Sequence, residues 1–140
     1  MPFYNDLRPE ADFDERDFAR VDAHMEPAVK IRCAEGILRL KSQLATLNAR
    51  KTERNLLIAS WNIVALGAGD YREGEALYYL AEILSHFDLI AIQEQRADLS
   101  DLNKICRILG PNWQYIVTDP MGGKKGNDER STLLLSLIHI

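Results

Sequence analysis

The sequence predicts an α/β fold, and three observations carry that prediction. Short apolar runs of strand length alternate with longer segments of helical spacing. Two of these runs, residues 56–61 and 88–92, each deliver polar residues at their ends. Between them Leu77, Leu80, Ala81, Leu84 and Phe87 recur at i, i+3, i+4, i+7 and i+10, the stripe of an amphipathic helix. Strand, helix and strand in that order make a crossover unit of an α/β sheet.

The elements follow in order. Residues 1 to about 25 are polar and acidic, with Asp12, Asp14, Glu15 and Asp17 set among Phe13, Phe18 and Val21. They read as a loosely held arm with one short helix over residues 13–20. Glu26-Pro27 opens a longer helix, because proline suits a first turn whose N–H has no partner. Ile31, Ala34, Leu38, Leu40, Leu44 and Leu47 are its expected apolar positions, and Arg50 and Lys51 fall at the end where the helix dipole favours cations. Gly36 inside it is expected to cost about 1 kcal/mol relative to alanine. Its basic residues Lys30, Arg32, Arg39 and Lys41 are either a solvated face or a nucleic-acid surface.

The first strand then ends on Ser60-Trp61-Asn62, and residues 67–70 form a loop. A helix starts at Arg72 and is broken by Asp88. The second strand ends on Gln93-Glu94-Gln95-Arg96. Asp98 or Ser100 can cap a third helix, whose stripe is Leu102, Ile105, Cys106 and Leu109. Gly110 and Pro111 stop it. Residues 115–118 are a third strand, and residues 119–127 a loop rich in glycine and charge.

With 140 residues, 46% apolar and 27% charged, the chain can bury the core of one soluble domain. A net charge of −4 argues against a basic nucleic-acid-binding module. It leaves room for an enzyme acting on phosphate esters through a bound cation. Cys33 and Cys106 are too few for a zinc site or a disulfide framework and read as buried free thiols. No apolar run approaches the ~20 residues of a membrane span. The N-terminus lacks a signal peptide's basic start and apolar stretch, which points to the cytoplasm.

A crossover makes the two strands parallel, so their C-terminal ends share one edge of the sheet. Adjacent strands lie about 4.8 Å apart, which lets Asn62 and Glu94 converge on one point. One carboxylate beside one amide suits magnesium, which keeps most of its waters and takes one or two protein carboxylates plus a phosphate oxygen. Glu94 is the expected ligand. Asn62 either orients that carboxylate or holds a phosphate oxygen or water. Arg96, two residues on, points to the same side if the strand continues, and its planar fork suits a phosphate. The plainer readings are a solvated glutamate, an asparagine capping a turn, and a surface ion pair of Arg96 with Asp98. Gly67-Ala68-Gly69 after a strand also allows a non-catalytic nucleotide-binding module, although the third glycine of that pattern is replaced by Arg72.

Ile58-Ala59-Ser60-Trp61-Asn62-Ile63, followed by Asp88-Leu89-Ile90-Ala91-Ile92-Gln93-Glu94, resembles the endonuclease/exonuclease/phosphatase family, which includes pancreatic deoxyribonuclease. Residues 112–120 and then Gly126-Asn127-Asp128-Glu129-Arg130 look like that family's next strand and the loop to its Glu-Arg step. The resemblance covers about residues 55–130. It implies a four-layer α/β/β/α sandwich, of which this chain would hold the N-terminal portion behind a helical extension. The implied division is an arm and helix over residues 1–52, a truncated catalytic domain over 53–130, and a foreign or atypical tail over 131–140.

Carried over by position, Asn62 is the active-site asparagine near the scissile phosphate and Glu94 the magnesium ligand, with manganese or calcium as substitutes. Arg96 matches an arginine that contacts the nucleic-acid backbone. Asn127 falls where a tyrosine contacts substrate. Arg130 reads as structural. The implied activity is metal-dependent phosphodiester hydrolysis, in nucleic acid or alternatively in a lipid or inositol phosphate, with no obligate protein partner evident. The family's catalytic histidine, Asp-x-Asn pair and closing Ser-Asp-His all come later than residue 130, so this chain is expected to be inactive. The tail, ending Leu-Ser-Leu-Ile-His-Ile, interrupts the match. It reads as sequence appended to a truncated gene, or else as an apolar strand of the sheet.

Overall fold

In the computed structural model, residues 1–8, 20–67, 74–119 and 129–138 are described. They form a mixed α/β domain of three helices and a four-stranded mixed sheet. The helices are α1 (Pro27–Arg50), α2 (Gly74–Leu84) and α3 (Ser100–Leu109). The strands are β1 (Ile58–Leu66), β2 (Leu89–Gln95), β3 (Trp113–Val117) and β4 (Arg130–Ser136). A single 3-10 turn, Asn5–Leu7, precedes them. The expected short helix over residues 13–20 lies almost wholly outside the described residues.

The sheet order is β1-β2-β4-β3. β1 and β2 are parallel, as their crossover through α2 requires, and run in register from Ile58↔Leu89 to Asn62↔Gln93. β4 is antiparallel to both its neighbours, pairing Ile90↔Leu134 on one side and Tyr115↔Leu134 on the other. Residues 130–136 therefore occupy an interior position of the sheet, the strand alternative for this stretch. Its alternation explains the fit: Thr132, Leu134 and Ser136 are buried while Ser131 and Leu133 are exposed.

Side-chain alternation divides the sheet into two unlike faces. On one, Ile90, Ile92 and Leu134 are at most 1% exposed and pack with Leu77, Ala81 and Leu84 of α2 and Leu102, Ile105 and Ile108 of α3. On the other, Ile58, Ile116 and Leu133 remain 66%, 64% and 43% exposed. α1 packs against α2 as an outer layer. Its buried residues are Cys33, Gly36 and Ile37, whereas Ile31 and Leu38, expected at apolar contact positions, are exposed. The stripe is displaced because α1 meets α2 at Gly36: a Cβ there would lie 2.6 Å from Tyr79 Cε1. The glycine permits close approach of the two helices and is not a defect within the first.

The N-terminal residues are held more firmly than their polarity suggests. The Asp6 carboxylate is fully buried and accepts from Val21 N (2.7 Å), Asp22 N (2.8 Å) and the Tyr78 hydroxyl (2.9 Å). α2 ends at Leu84, short of the break expected at Asp88, and Phe87 lies beyond it; Asp88 instead aligns the first two strands. Its Oδ2 accepts from Leu57 N at 2.8 Å, and Lys51 lies 2.9 Å from its Oδ1. At α3 the Asp98 carboxylate accepts from Ser100 N at 2.8 Å, and that bond holds its pKa below the ordinary value. No helix among the described residues is long and apolar enough to cross a membrane.

Candidate functional site

Asn62 and Glu94 meet. Asn62 Nδ2 donates to Glu94 Oε1 at 2.8 Å, from the middle of β1 to the C-terminal end of β2. A carboxylate only accepts, so the amide presents its nitrogen there and keeps its oxygen for another partner. One rung earlier, Gln93 Nε2 donates to Ser60 Oγ at 3.0 Å. The site is thus built on two hydrogen-bonded strands, which place side chains more firmly than a free loop does.

The local backbone is irregular where the chemistry lies. Asn62 is not at the end of its strand, since the apolar Ile63-Val64-Ala65-Leu66 continues β1 past it. Register breaks between Asn62↔Gln93 and Leu66↔Gln95, and again between Ile92↔Thr132 and Gln95↔Arg130. Glu94 sits in both breaks with φ 60°, the one non-glycine residue of positive φ among those described. An L-residue in the left-handed region is uncommon, and such strain concentrates at functional sites.

Arg96 does not follow the simple alternation. β2 stops at Gln95, and Glu94 is bulged, so counting two residues onward no longer predicts the side. Arg96 N donates to Leu66 O at 2.7 Å, and its Nη1 lies 3.6 Å from Glu129 Oε1. Asn127 is outside the described residues, as is most of the glycine-rich loop containing it. Gly67, offered as the start of a phosphate loop, has φ 85°, and a Cβ on it would lie 2.8 Å from Gln95 Nε2. Its lack of a side chain serves this contact between strand ends.

Asn62 and Glu94 open onto a cleft of about 630 Å³. Its other lining residues are Gln93, Thr118, Asp119, Glu129, Arg130 and Ser131. β4 starts at the edge where β2 ends, Gln95↔Arg130, and so carries Glu129 and Arg130 to the site. Thr118 is tied to that strand, accepting from Ser131 N at its Oγ1 (3.0 Å). The sequence offered a signal for these residues only in the quoted resemblance, because their arrival depends on β4 entering between β2 and β3.

The donor set fits a hydrated magnesium ion. Glu94 has a second carboxylate oxygen beyond the one bonded to Asn62, and magnesium needs only one or two protein carboxylates. Manganese has the same preference for oxygen ligands. Calcium, with 6–8 oxygen ligands, is served less well. Among the described residues no three His, Cys, Asp or Glu side chains converge to hold a metal.

No described histidine reaches the cleft. His24 is exposed on the N-terminal side. His86 is buried on the other side of α2, with Nδ1 2.8 Å from Asn48 Oδ1 and Nε2 3.3 Å from Glu82 Oε1. His139 lies outside the described residues. The cysteines are also remote. Burial pushes both thiols up to about 12, so neither supplies a thiolate nucleophile near neutral pH. No protein-family model and no curated protein matches the chain.

Proposed function

We propose that the chain is the N-terminal, metal-binding part of a magnesium-dependent phosphodiesterase that hydrolyses phosphodiester bonds in nucleic acid. The observation carrying this reading is the 2.8 Å contact of Asn62 with Glu94 across a parallel strand pair. Three further features support it. Glu94 is held in a strained conformation, its carboxylate faces an open cleft, and the described lining has three carboxylates (Glu94, Asp119, Glu129) but one guanidinium, Arg130. An anionic phosphate in such a cleft requires a cation.

Glu94 is the metal ligand in this reading. Asn62 fixes the carboxylate through its nitrogen and offers its amide oxygen to a metal-bound water. Arg96, whose Nη1 lies 3.6 Å from Glu129 Oε1 beside the cleft, is the group for the nucleic-acid backbone. Bound magnesium would neutralise charge on the phosphate and the leaving oxygen. A general base is worth about 10²–10⁴-fold, and no histidine that could serve as one is in reach among the described residues. Hydrolysis by this chain alone is therefore expected to be negligible. The bare sheet face with Ile58, Ile116 and Leu133 is where a second sheet of a four-layer sandwich would pack.

Mn²⁺ binding followed by electron paramagnetic resonance tests the metal reading. Saturable binding is expected for the chain and its loss for Glu94→Gln; equal binding by both would overturn it. Incubation with supercoiled DNA in magnesium tests the incompleteness. Nicking that disappears in Glu94→Ala would show that the described half suffices.

A further inference from the structure

Next to the strained glutamate lies a buried amide with an unusual hydrogen-bond pattern. Gln95 is 0% exposed. Its Nε2 donates toward three backbone carbonyls, those of Leu66 (3.0 Å), Arg96 (2.9 Å) and Asp98 (2.9 Å). Its Oε1 is buried and has no hydrogen-bond partner among the described residues. An amide nitrogen has two hydrogens, so three acceptors oversubscribe it while the oxygen stays idle. A buried amide whose donors are shared among several backbone carbonyls holds those carbonyls, and the chain segments that carry them, in one arrangement.

The geometry held is that of Glu94. Leu66 belongs to the last residues of β1, whereas Arg96 and Asp98 belong to the segment leaving β2. Gln95 therefore ties the two strand ends together one residue past the bulge. Arg96 N adds a second tie to the same Leu66 carbonyl, and Gly67 leaves the space the amide occupies. Pairing resumes at Leu66↔Gln95 after the break, so the chain at residue 94 is fixed from both sides. With those ends fixed, Glu94 has little freedom to relax from φ 60° to an ordinary extended conformation.

We propose that Gln95 is a positioning residue: its amide clamps the ends of β1 and β2 so that the Glu94 carboxylate stays on Asn62 Nδ2, which sets the affinity of that carboxylate for a divalent cation. The second half of this inference rests on the metal reading above; the first half does not. Gln95 touches neither cation nor substrate and acts through Glu94.

The test uses the full chain labelled with ¹⁵N, the side-chain amide resonances of Asn62, and a Mn²⁺ titration of the same samples. Glu94→Ala, which removes the acceptor, marks where the Asn62 signals fall without their partner. In Gln95→Met, of similar length but without donors, the Asn62 signals are expected to move to the Glu94→Ala position. The Mn²⁺ dissociation constant is expected to rise about 10–100-fold, the range for residues that orient a metal ligand. Gln95→Lys keeps donors and drops the idle acceptor, so it is expected to return the Asn62 signals toward wild type. A residue that only fills space would be served by methionine as well. Unmoved Asn62 signals in folded Gln95→Met overturn the proposal. Should that variant not fold, displaced Asn62 signals in Gln95→Lys overturn it. If the wild-type chain binds no Mn²⁺, the metal reading fails and the Asn62 signals still decide whether Gln95 positions Glu94.

Discussion

Glu94 combines the left-handed backbone of a glycine with the carboxylate that we propose as the metal ligand. For an ordinary L-residue that conformation costs roughly 1–2 kcal/mol, and glycine escapes most of it. Replacing Glu94 therefore separates strain from side-chain chemistry. Glu94→Gly is expected to be more stable than Glu94→Ala by about 1 kcal/mol in urea denaturation. Equal stabilities would mean that the backbone at this position relaxes without its clamp. Both variants lose the carboxylate, so neither is expected to bind Mn²⁺. The approach of Asn62 to Glu94 was legible from sequence because the crossover makes their strands parallel neighbours, although Asn62 lies in the middle of β1 and not at its end. The bulge was not, since nothing in Gln93-Glu94-Gln95 marks a residue for positive φ.

At the scale of elements, the contact of α1 with α2 shows how packing reverses a propensity. Alanine is worth about 1 kcal/mol more than glycine inside a helix, so Gly36→Ala in isolation should stabilise α1. The Tyr79 ring occupies the space of the new methyl, and its hydroxyl is held by Glu75 Oε1 at 2.7 Å. Thermal melts are therefore expected to show Gly36→Ala destabilising the chain, and stabilising it by about 1 kcal/mol in a Tyr79→Leu background. The same sign in both backgrounds would remove the steric explanation.

Arg32 ties these two helices together as well, through hydrogen bonds to the Glu75 carboxylate at 3.0 and 3.2 Å from its Nε. Those bonds, opposed by burial, hold the Glu75 pKa below the ordinary 4.5. The folded state prefers the ionised acid, so the contribution is complete above pH 4.5 and is lost as pH falls through the lowered value. Glu75→Gln should cost a little at pH 7, within about 1 kcal/mol because Arg32 is largely in solvent, and less at pH 2. Melting temperatures of both proteins at the two pH values check this.

Among the described residues the molecule is a sheet covered by helices on one face and bare on the other. Ile58, Ile116 and Leu133 on the bare face present apolar surface of the kind that marks an interface or drives association. Sedimentation is expected to show concentration-dependent self-association of the chain. Ile116→Lys with Leu133→Glu, opposite charges on directly paired positions, should reduce it without lowering the melting temperature, since these side chains contribute little to the helix-covered core. Unchanged association would place the sticky surface elsewhere. At this scale the interior position of β4 has the largest consequence. It pairs with both β2 and β3 and brings Glu129 and Arg130 to the cleft beside Asn62.

The sequence alone determined the alternation of helices and strands, the parallel pairing of the strands around α2, and the approach of Asn62 to Glu94. Those follow from local periodicity and from the geometry of a crossover, which depend on residues close in the chain. Tertiary structure decided what depends on distant partners. It buried Asp6 against Tyr78, shifted the contact stripe of α1 to Gly36, inserted β4 between β2 and β3, and bulged β2 at Glu94. It also gave Gln95, an unremarked polar residue in the sequence, three carbonyls from two strand ends. Periodicity reports which face of an element is apolar. It carries no information about which distant backbone group will arrive there, and at this site those arrivals set the geometry of the carboxylate.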